Sequence, residues 1–136
     1  MGNMQFHRGR LIDHVQIVVA DYEANRRFYE AVFAVLGIPV LLGDGFLDAD
    51  DFVVSQGSPT TGRCHVAFQA KDRATVDAFH AAGIEAGGVD NGAPGIRDYH
   101  PNYYAAFLID PAGNNIEAVN HGPAKRSAES VVIEAL

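Results

Sequence analysis

The feature that most constrains the fold is an internal repeat, because two stretches of the 136-residue chain follow the same order of predicted elements. Each stretch begins with a Gly-Arg pair, and a His-Val pair then opens an apolar strand. These pairs are Gly9-Arg10 and His14-Val15 in the first stretch, and Gly62-Arg63 and His65-Val66 in the second. An amphipathic helix and shorter strands follow in both, so each stretch is predicted to be β-α-β-β-β. The chain is therefore expected to be one α+β domain, residues 1–136, made of unit one (about 10–57), unit two (about 62–121) and a tail (122–136).

Unit one has clear local signals. Residues 11–20 alternate as a half-buried strand does, with Val15, Ile17 and Val19 on one face and His14, Gln16 and Val18 on the other. A helix is predicted to begin after Asp21, a typical N-cap residue, and to end at Gly37. Short apolar runs in residues 39–55, separated by turn residues, predict three further strands.

Unit two follows the same plan with a less regular second half. A strand is predicted over residues 63–70, and a helix is predicted to begin after Asp72 and to end at Gly83. The glycine-rich residues 84–99 predict a short strand and then a mobile loop. Two strands joined by a turn complete the unit in residues 103–120. For the tail, a short helix, a strand and a loose segment all remain open.

The charge balance and the cysteine count exclude several classes of protein. The chain has 10 Lys and Arg against 17 Asp and Glu, a net charge of −7, which argues against binding to a nucleic-acid backbone. No window holds the roughly 18 consecutive apolar residues of a membrane span. The single cysteine cannot form an internal disulfide, which is typical of a reducing compartment. We therefore expect a soluble, cytoplasmic protein with no nucleic-acid or membrane partner.

Three side chains are candidate metal ligands. His14 and His65 occupy equivalent positions in the first strands of the two units, so a pseudo-twofold axis would bring them to related places. Glu117 lies in an otherwise apolar strand, where a carboxylate is costly unless it is paired, exposed or bound to a cation. Two imidazoles and one carboxylate are a sufficient ligand set for several divalent metals. The alternative is two packed strand histidines and a surface glutamate on an edge strand. His7, His80 and His121 are interpreted as structural or exposed.

These residues carry a family resemblance that covers about residues 10–121. It rests on LIDHVQIVVADYEANRRFYEAVFAVLGIP, on GRCHVAFQAKDRATVDAFHAAGI and on YYAAFLIDPAGNNIEAV. The chain resembles the vicinal oxygen chelate superfamily, which includes glyoxalase I, the bleomycin-resistance proteins, the fosfomycin-resistance enzymes and the extradiol dioxygenases. The last segment is the most specific, because the family's Asp-Pro-x-Gly turn precedes a strand whose glutamate binds metal. Here Asp110 to Gly113 leads to Glu117.

The resemblance implies a fold, a cofactor and a partner. Two βαβββ repeats would form a cupped mixed sheet around one divalent metal ion, held by His14, His65 and Glu117. Zn, Ni, Mn, Fe and Co all remain open as the metal. The resemblance also implies a homodimer and a small substrate whose neighbouring oxygens bind the ion, which acts as a Lewis acid.

Two departures from the family pattern affect the expected reaction. Bacterial glyoxalase I has a further Glu in the last strand of unit one, but residues 52–56 contain neither Glu nor His. The isomerase mechanism therefore lacks its usual base. In the fosfomycin-resistance enzymes and the extradiol dioxygenases a Tyr stands ten positions before the ligand glutamate, and Phe107 occupies that position here.

Other side chains are candidates to compensate. Tyr103 shares the strand parity of Phe107, and His100 lies in the loop before it, so both are candidate catalytic residues for proton transfer. Gln16, Arg97 and Phe107 are candidate substrate contacts. The alternative is that the loop side chains face solvent and that Tyr103 lies in the core.

Three functions follow from this set of residues. The leading hypothesis is a metal-dependent lyase or isomerase of the lactoylglutathione lyase-like type, with its reaction unassigned. The first alternative is a metal-free ligand-binding module of the bleomycin-resistance type. The second is a dioxygenase, which would require Fe²⁺ or Mn²⁺ and O₂. Retention of all three candidate ligands favours an enzyme.

Overall fold

A computed structural model describes residues 4–136, in which the chain forms two helices and ten strands. In chain order they are β1 (Gln5–Arg8), β2 (Val15–Val19), α1 (Tyr22–Leu36), β3 (Leu41–Gly43), β4 (Phe46–Ala49), β5 (Phe52–Gln56), β6 (His65–Gln69), α2 (Arg73–Glu85), β7 (Val89–Ile96), β8 (Tyr104–Ile109), β9 (Asn115–Asn120) and β10 (Val131–Glu134).

The two units build sheets of the same topology. Unit one gives the strand order β2-β5-β4-β3, and unit two gives β6-β9-β8-β7. In each sheet the first and last strands of the unit pair in parallel, and the remaining pairs are antiparallel. Two βαβββ repeats with mixed sheets confirm the predicted α+β fold class.

One face of each sheet is covered by helix, and the core lies there. In β2, Ile17 and Val19 are buried while Gln16 is exposed, as the alternation predicts. The helices contact each other, and an aromatic cluster of Phe33, Phe52 and Phe68 joins the two units, with ring centroids 5.1–6.0 Å apart. The opposite faces of the sheets, called here the outer faces, carry His14 and His65.

Both helices begin where the sequence predicts. The Asp21 carboxylate accepts a hydrogen bond from the Ala24 N–H at 3.1 Å, and the Asp72 carboxylate accepts one from the Thr75 N–H at 2.7 Å. Helix α1 ends at Gly37, which has φ 76°, a conformation that favours glycine.

The predicted end of α2 at Gly83 is wrong, because the helix continues to Glu85. Gly83 is buried inside the helix, where a Cβ would lie 2.2 Å from Leu108 Cδ1 and 3.3 Å from Phe28 Cε1. This glycine therefore allows α2 to approach its sheet closely rather than stopping the helix.

The predicted short strand near residues 84–89 is wrong, because α2 continues to Glu85, and the mobile loop predicted after it is also largely wrong. Residues Val89–Ile96 form β7, which pairs with β8 but contains register shifts between Asp90 and Gly92 and between Gly92 and Gly95. Gly92 has φ 153°, and such bulges use glycine readily. The glycines therefore mark an irregular strand.

The tail takes one of the three forms left open. Its residues Val131–Glu134 form β10, which pairs antiparallel with β1, so that Phe6 faces Ile133. Neither helix in residues 4–136 is long and apolar enough to cross a membrane.

Candidate metal and substrate site

The outer face of the unit two sheet gathers several of the predicted site residues. Strand β6 pairs with β9 so that Ala67 lies opposite Glu117, and β8 pairs with β9 so that Phe107 lies opposite Glu117. Because side chains alternate along a strand, His65 lies on the same face as Ala67. His65, Phe107 and Glu117 therefore share one face, away from α2.

Glu117 is the centre of this face. Its side chain is 2 % exposed, yet His65 Nε2 donates to its Oε1 at 2.8 Å and the Tyr103 hydroxyl donates to its Oε2. No Lys or Arg of residues 4–136 forms an ion pair with it. A buried carboxylate needs such hydrogen bonds. Neither donor, His65 or Tyr103, carries a positive charge when His65 is neutral.

Tyr103 keeps its proton in this environment. Burial, the hydrogen bond to Glu117 and the charge of that carboxylate together raise the pKa of Tyr103 well above its ordinary value. Tyr103 is therefore a hydrogen-bond donor at neutral pH and not a base.

The spacing of His65 and Glu117 fits a divalent metal. Two ligand atoms that each lie about 2.1 Å from an ion, at right angles, are about 3 Å apart. His65 Nε2 and Glu117 Oε1 are 2.8 Å apart, and the His65 side chain is 51 % exposed. When the His65 proton is on Nδ1, Nε2 and the Glu117 carboxylate can therefore bind one ion from the exposed side of His65, and imidazole with carboxylate suits the metals predicted from the sequence.

His14 lies on the outer face of the other sheet. Its side chain is 55 % exposed, and its Nδ1 donates to Asp13 Oδ1 at 2.7 Å, a bond that lowers the pKa of Asp13. Within residues 4–136 of one chain, no group of three or more His, Cys, Asp or Glu side chains could hold a metal. One chain therefore brings together two of the three predicted ligands and leaves His14 apart. Gln16 lies on the same sheet as His14, where its Nε2 donates to Ser55 Oγ at 2.8 Å.

The predicted catalytic residue His100 lies beside Tyr103 in a cluster of rings. The two ring centroids are 5.3 Å apart, and the Tyr99 ring centroid lies 4.9 Å from that of Tyr103. His100 Nε2 lies 2.8 Å from Nδ1 of His121, whose ring also contacts Tyr103 at 5.4 Å.

His121 is exposed, as the sequence analysis allowed, but its place in this ring cluster was not predicted. A signal was available, because His121 follows the candidate ligand Glu117 by four positions, just beyond the end of β9. Residues at or just beyond the end of a strand lie close to the loops that connect the strands of the sheet.

Two predicted substrate contacts also lie on this face. The Phe107 ring centroid is 6.0 Å from that of His65, and the Arg97 guanidinium carbon is 5.3 Å from the centre of the Phe107 ring. A cavity of about 1020 Å³ lies against the C-terminal end of α1 and residues 125–131; Ala67 and Gln69 of β6 line it, but His65, Phe107 and Glu117 do not. The unit two face is open to solvent at His65, whose side chain is 51 % exposed.

Comparison with known proteins places the chain in a family. The family model of the Glyoxalase/Bleomycin resistance protein/Dioxygenase superfamily matches residues 11–118. No match was found among the curated proteins.

Solved structures agree with the family model. A glyoxalase/bleomycin resistance protein from Albidiferax ferrireducens T118 is 32 % identical with a TM-score of 0.71, and the match covers 80 % of this chain and 97 % of that one. A glyoxalase/bleomycin resistance protein/dioxygenase family enzyme from Burkholderia phytofirmans PsJN is 24 % identical with a TM-score of 0.63, covering 79 % and 96 %. A lactoylglutathione lyase from Agrobacterium tumefaciens is 21 % identical with a TM-score of 0.58, covering 81 % and 92 %. The last two similarities concern the fold alone.

The family match over residues 11–118 confirms the resemblance drawn from the sequence. The chain belongs to the Glyoxalase/Bleomycin resistance protein/Dioxygenase superfamily.

Proposed function

We propose that the chain is a divalent-metal-dependent enzyme of the lactoylglutathione lyase-like type, a lyase or isomerase that acts on a small substrate with vicinal oxygens. The observation that carries the proposal is the buried Glu117 carboxylate, which has His65 Nε2 at 2.8 Å and no cationic side chain of residues 4–136 beside it. A bound cation would supply the missing positive charge. Cys64 is a free thiol, in keeping with a reducing cytoplasm.

The proposal includes a homodimer in which the metal site is shared. Within residues 4–136, β2 and β6 lie at sheet edges, and each pairs with one neighbouring strand. His14 immediately precedes β2 and His65 begins β6, and both side chains are more than half exposed. Unpaired strand edges are places where a second copy can add. His14 of one copy would then complete the site of His65 and Glu117 in the other.

The chain's own residues have definite roles in this proposal. A bound divalent ion would polarise the neighbouring oxygens of the substrate. Tyr103 holds its proton at Oη and keeps Glu117 Oε2 oriented. His100 lies next to Tyr103; its Nδ1 donates to the Pro101 carbonyl, and its Nε2, which pairs with His121, is the nitrogen that would accept or return a proton of the substrate. Phe107 gives an apolar wall beside His65, and Gln16 of the second copy would give a polar one.

Metal analysis after reconstitution tests the proposal. The wild-type protein is expected to retain about one divalent ion per chain, and Glu117→Ala and His14→Ala are expected to retain much less. Glu85→Ala is the matched control, because Glu85 lies on the exposed side of α2. Equal metal contents in the wild type and in Glu117→Ala would contradict the proposal.

The metal-free binding module remains a second candidate on one specific observation. His14 lies apart from His65 and Glu117 in one chain, and a binding module needs no convergence of these three side chains. The same measurement separates the two candidates, because a metal-free binding module is expected to retain no more metal than Glu117→Ala does. The dioxygenase is less well supported, since Phe107 occupies the position of the tyrosine in the extradiol enzymes.

A further inference from the structure

Arg97 is a cation beside the Phe107 ring of the unit two face. Its guanidinium carbon lies 5.3 Å from the centre of the Phe107 ring, and that ring is 6.0 Å from the ring of His65. The Phe107 ring is thus within 6.0 Å of both the positive charge and a candidate metal ligand. The Arg97 side chain is only partly exposed, so it is held in this place and not spread into solvent.

The guanidinium has no anionic partner. Its Nη2 donates to the Ala93 carbonyl at 2.7 Å and its Nη1 to the Ile96 carbonyl at a long 3.5 Å. No Asp or Glu of residues 4–136 forms an ion pair with it. A guanidinium has five N–H donors, so at least three stay free for a ligand.

The backbone of β7 is shaped around this side chain. A Cβ at Gly92 would lie 3.1 Å from Arg97 Nη2 and 3.0 Å from Phe107 Cδ1, and a Cβ at Gly95 would lie 3.3 Å from Arg97 Nη1. The two register shifts of β7 occur at these glycines. The Arg97 N–H also donates to the Tyr103 carbonyl at 2.8 Å, which ties this position to the residue that orients Glu117.

We propose that the substrate carries a carboxylate, bound by the Arg97 guanidinium, and that a flat apolar part of the same molecule lies on Phe107 while its vicinal oxygens face His65 and Glu117. This inference rests on the proposed function for the position of the vicinal oxygens. The planar fork of arginine matches a carboxylate with two parallel hydrogen bonds. The flat middle follows from the Phe107 ring, which lies beside both the guanidinium and His65. The substrate class is therefore a small hydroxy or oxo acid with an unsaturated or aromatic middle.

A matched pair of probes tests the charge. The probes are 3,4-dihydroxybenzoate and 3,4-dihydroxybenzamide, which share the ring and the vicinal oxygens and differ in the carboxylate. Isothermal titration of the Zn²⁺-reconstituted protein is expected to give about tenfold tighter binding of the benzoate, as one charge-assisted pair provides. Arg97→Gln is expected to remove this preference without changing the affinity for the amide.

Two further variants make the result specific. Arg97→Lys keeps the charge without the fork and is expected to retain only part of the preference. Arg27→Gln removes an exposed cation of α1 and is expected to change neither affinity. Equal affinities for the two probes in the wild type, an equal loss of both in Arg97→Gln, or no binding of either probe would overturn the inference.

Glu117→Gln separates this inference from the proposed function. If both hold, this variant weakens both probes by the same factor and leaves their ratio unchanged. If the variant leaves both affinities unchanged, the proposed metal-dependent function is contradicted. The ratio of the benzoate and amide affinities still shows whether Arg97 binds the carboxylate.

Discussion

The two units share a backbone plan but differ in the chemistry of their outer faces. In unit two, β9 places Glu117 opposite Ala67 of β6. The matching pair in unit one is Val53 of β5 opposite Gln16 of β2. A carboxylate in one unit thus corresponds to an apolar side chain in the other.

The neighbouring strands, β8 in unit two and β4 in unit one, differ the other way: here unit two has the apolar side chain and unit one has the carboxylate. Phe107 lies opposite Glu117 in unit two, whereas Asp48 lies opposite Val53 in unit one. The repeat therefore supplies matched positions and the side chains divide the roles between them. Under the proposed function, unit two contributes the buried charge and unit one contributes an exposed imidazole, His14, so neither unit completes the site alone.

The largest expected effect is the recovery of metal binding when two metal-deficient variants are mixed. His14→Ala and Glu117→Ala are each expected to lose bound metal, but a mixed dimer has one site with both ligands intact. After unfolding and refolding an equal mixture, about a quarter of the sites should bind metal again. Metal content per chain, measured beside each variant refolded alone, is the readout. If the mixture binds no more metal than the single variants, the site is not shared between copies.

The α1 and α2 helices also differ at matched positions. Tyr29 lies eight residues after its N-cap Asp21, and His80 lies eight after Asp72. The Tyr29 hydroxyl crosses to unit two and donates to the buried Asp110 carboxylate at 2.5 Å, whereas His80 Nε2 donates to the more exposed Asp90 at 2.8 Å. Asp110 also accepts from the Asn114 N–H at 2.8 Å, so this bond ties α1 to the turn before the strand of Glu117.

Tyr29→Phe is expected to lower the free energy of unfolding by about 1.5–3 kcal/mol, since it leaves a buried carboxylate short of one donor. His80→Gln is the matched variant and should lower the free energy of unfolding by less.

The contribution of Tyr29 should also depend on pH. Burial, with the nearby Asp110 charge, raises the pKa of Tyr29 well above its ordinary value, so the folded state keeps this proton. The unfolded tyrosine ionises near pH 10, so the stability gained from Tyr29 is lost as the pH rises beyond that value. Urea unfolding at pH 7 and pH 10.5 should show the two proteins becoming closer at the higher pH. A constant difference would contradict this account.

Local signals predicted much of the fold, because they act over a few residues. Asp21 and Asp72 accept hydrogen bonds from the helix starts, and Gly37 adopts the left-handed conformation at the end of α1. These effects need no knowledge of distant residues. The alternation in β2 likewise identified which face carries His14, since strand side chains alternate by geometry alone.

The wrong predictions concern segments whose structure depends on contacts with residues that are distant in the sequence. A glycine such as Gly83 is typical of the end of a helix. Its neighbours Leu108 and Phe28 belong to other elements, however, and they require a residue without Cβ inside the helix. The glycines of β7 read as a loop, but pairing with β8 satisfies their backbone groups. The separation of His14 from Glu117 depends on how the units pack, which no local pattern encodes.

Gly83 and Val32 offer the next test of the matched helices, since each lies eleven residues after its N-cap. Gly83→Ala is expected to destabilise by about 1–3 kcal/mol, because the new Cβ would lie 2.2 Å from Leu108 Cδ1 and the packing must shift. Gly62→Ala is the control, since a Cβ there meets nothing within 4 Å. Chemical denaturation measures both. If Gly83→Ala is as stable as the wild type, helix propensity outweighs packing at this position.

The smallest expected effect comes from making the outer faces alike. Val53→Glu places a carboxylate at the position of unit one that matches Glu117, beside Gln16. If the site is shared between copies, a fourth ligand should tighten metal binding by about tenfold. Val53→Gln has the same length without the charge and should not tighten it, and the melting temperatures of both variants report the cost of replacing a half-buried valine. Competition with a metal chelator gives the affinities. Equal affinities for the Glu and Gln variants would mean that the matched position does not reach the ion, and that the two units, although alike in topology, do not face the site symmetrically.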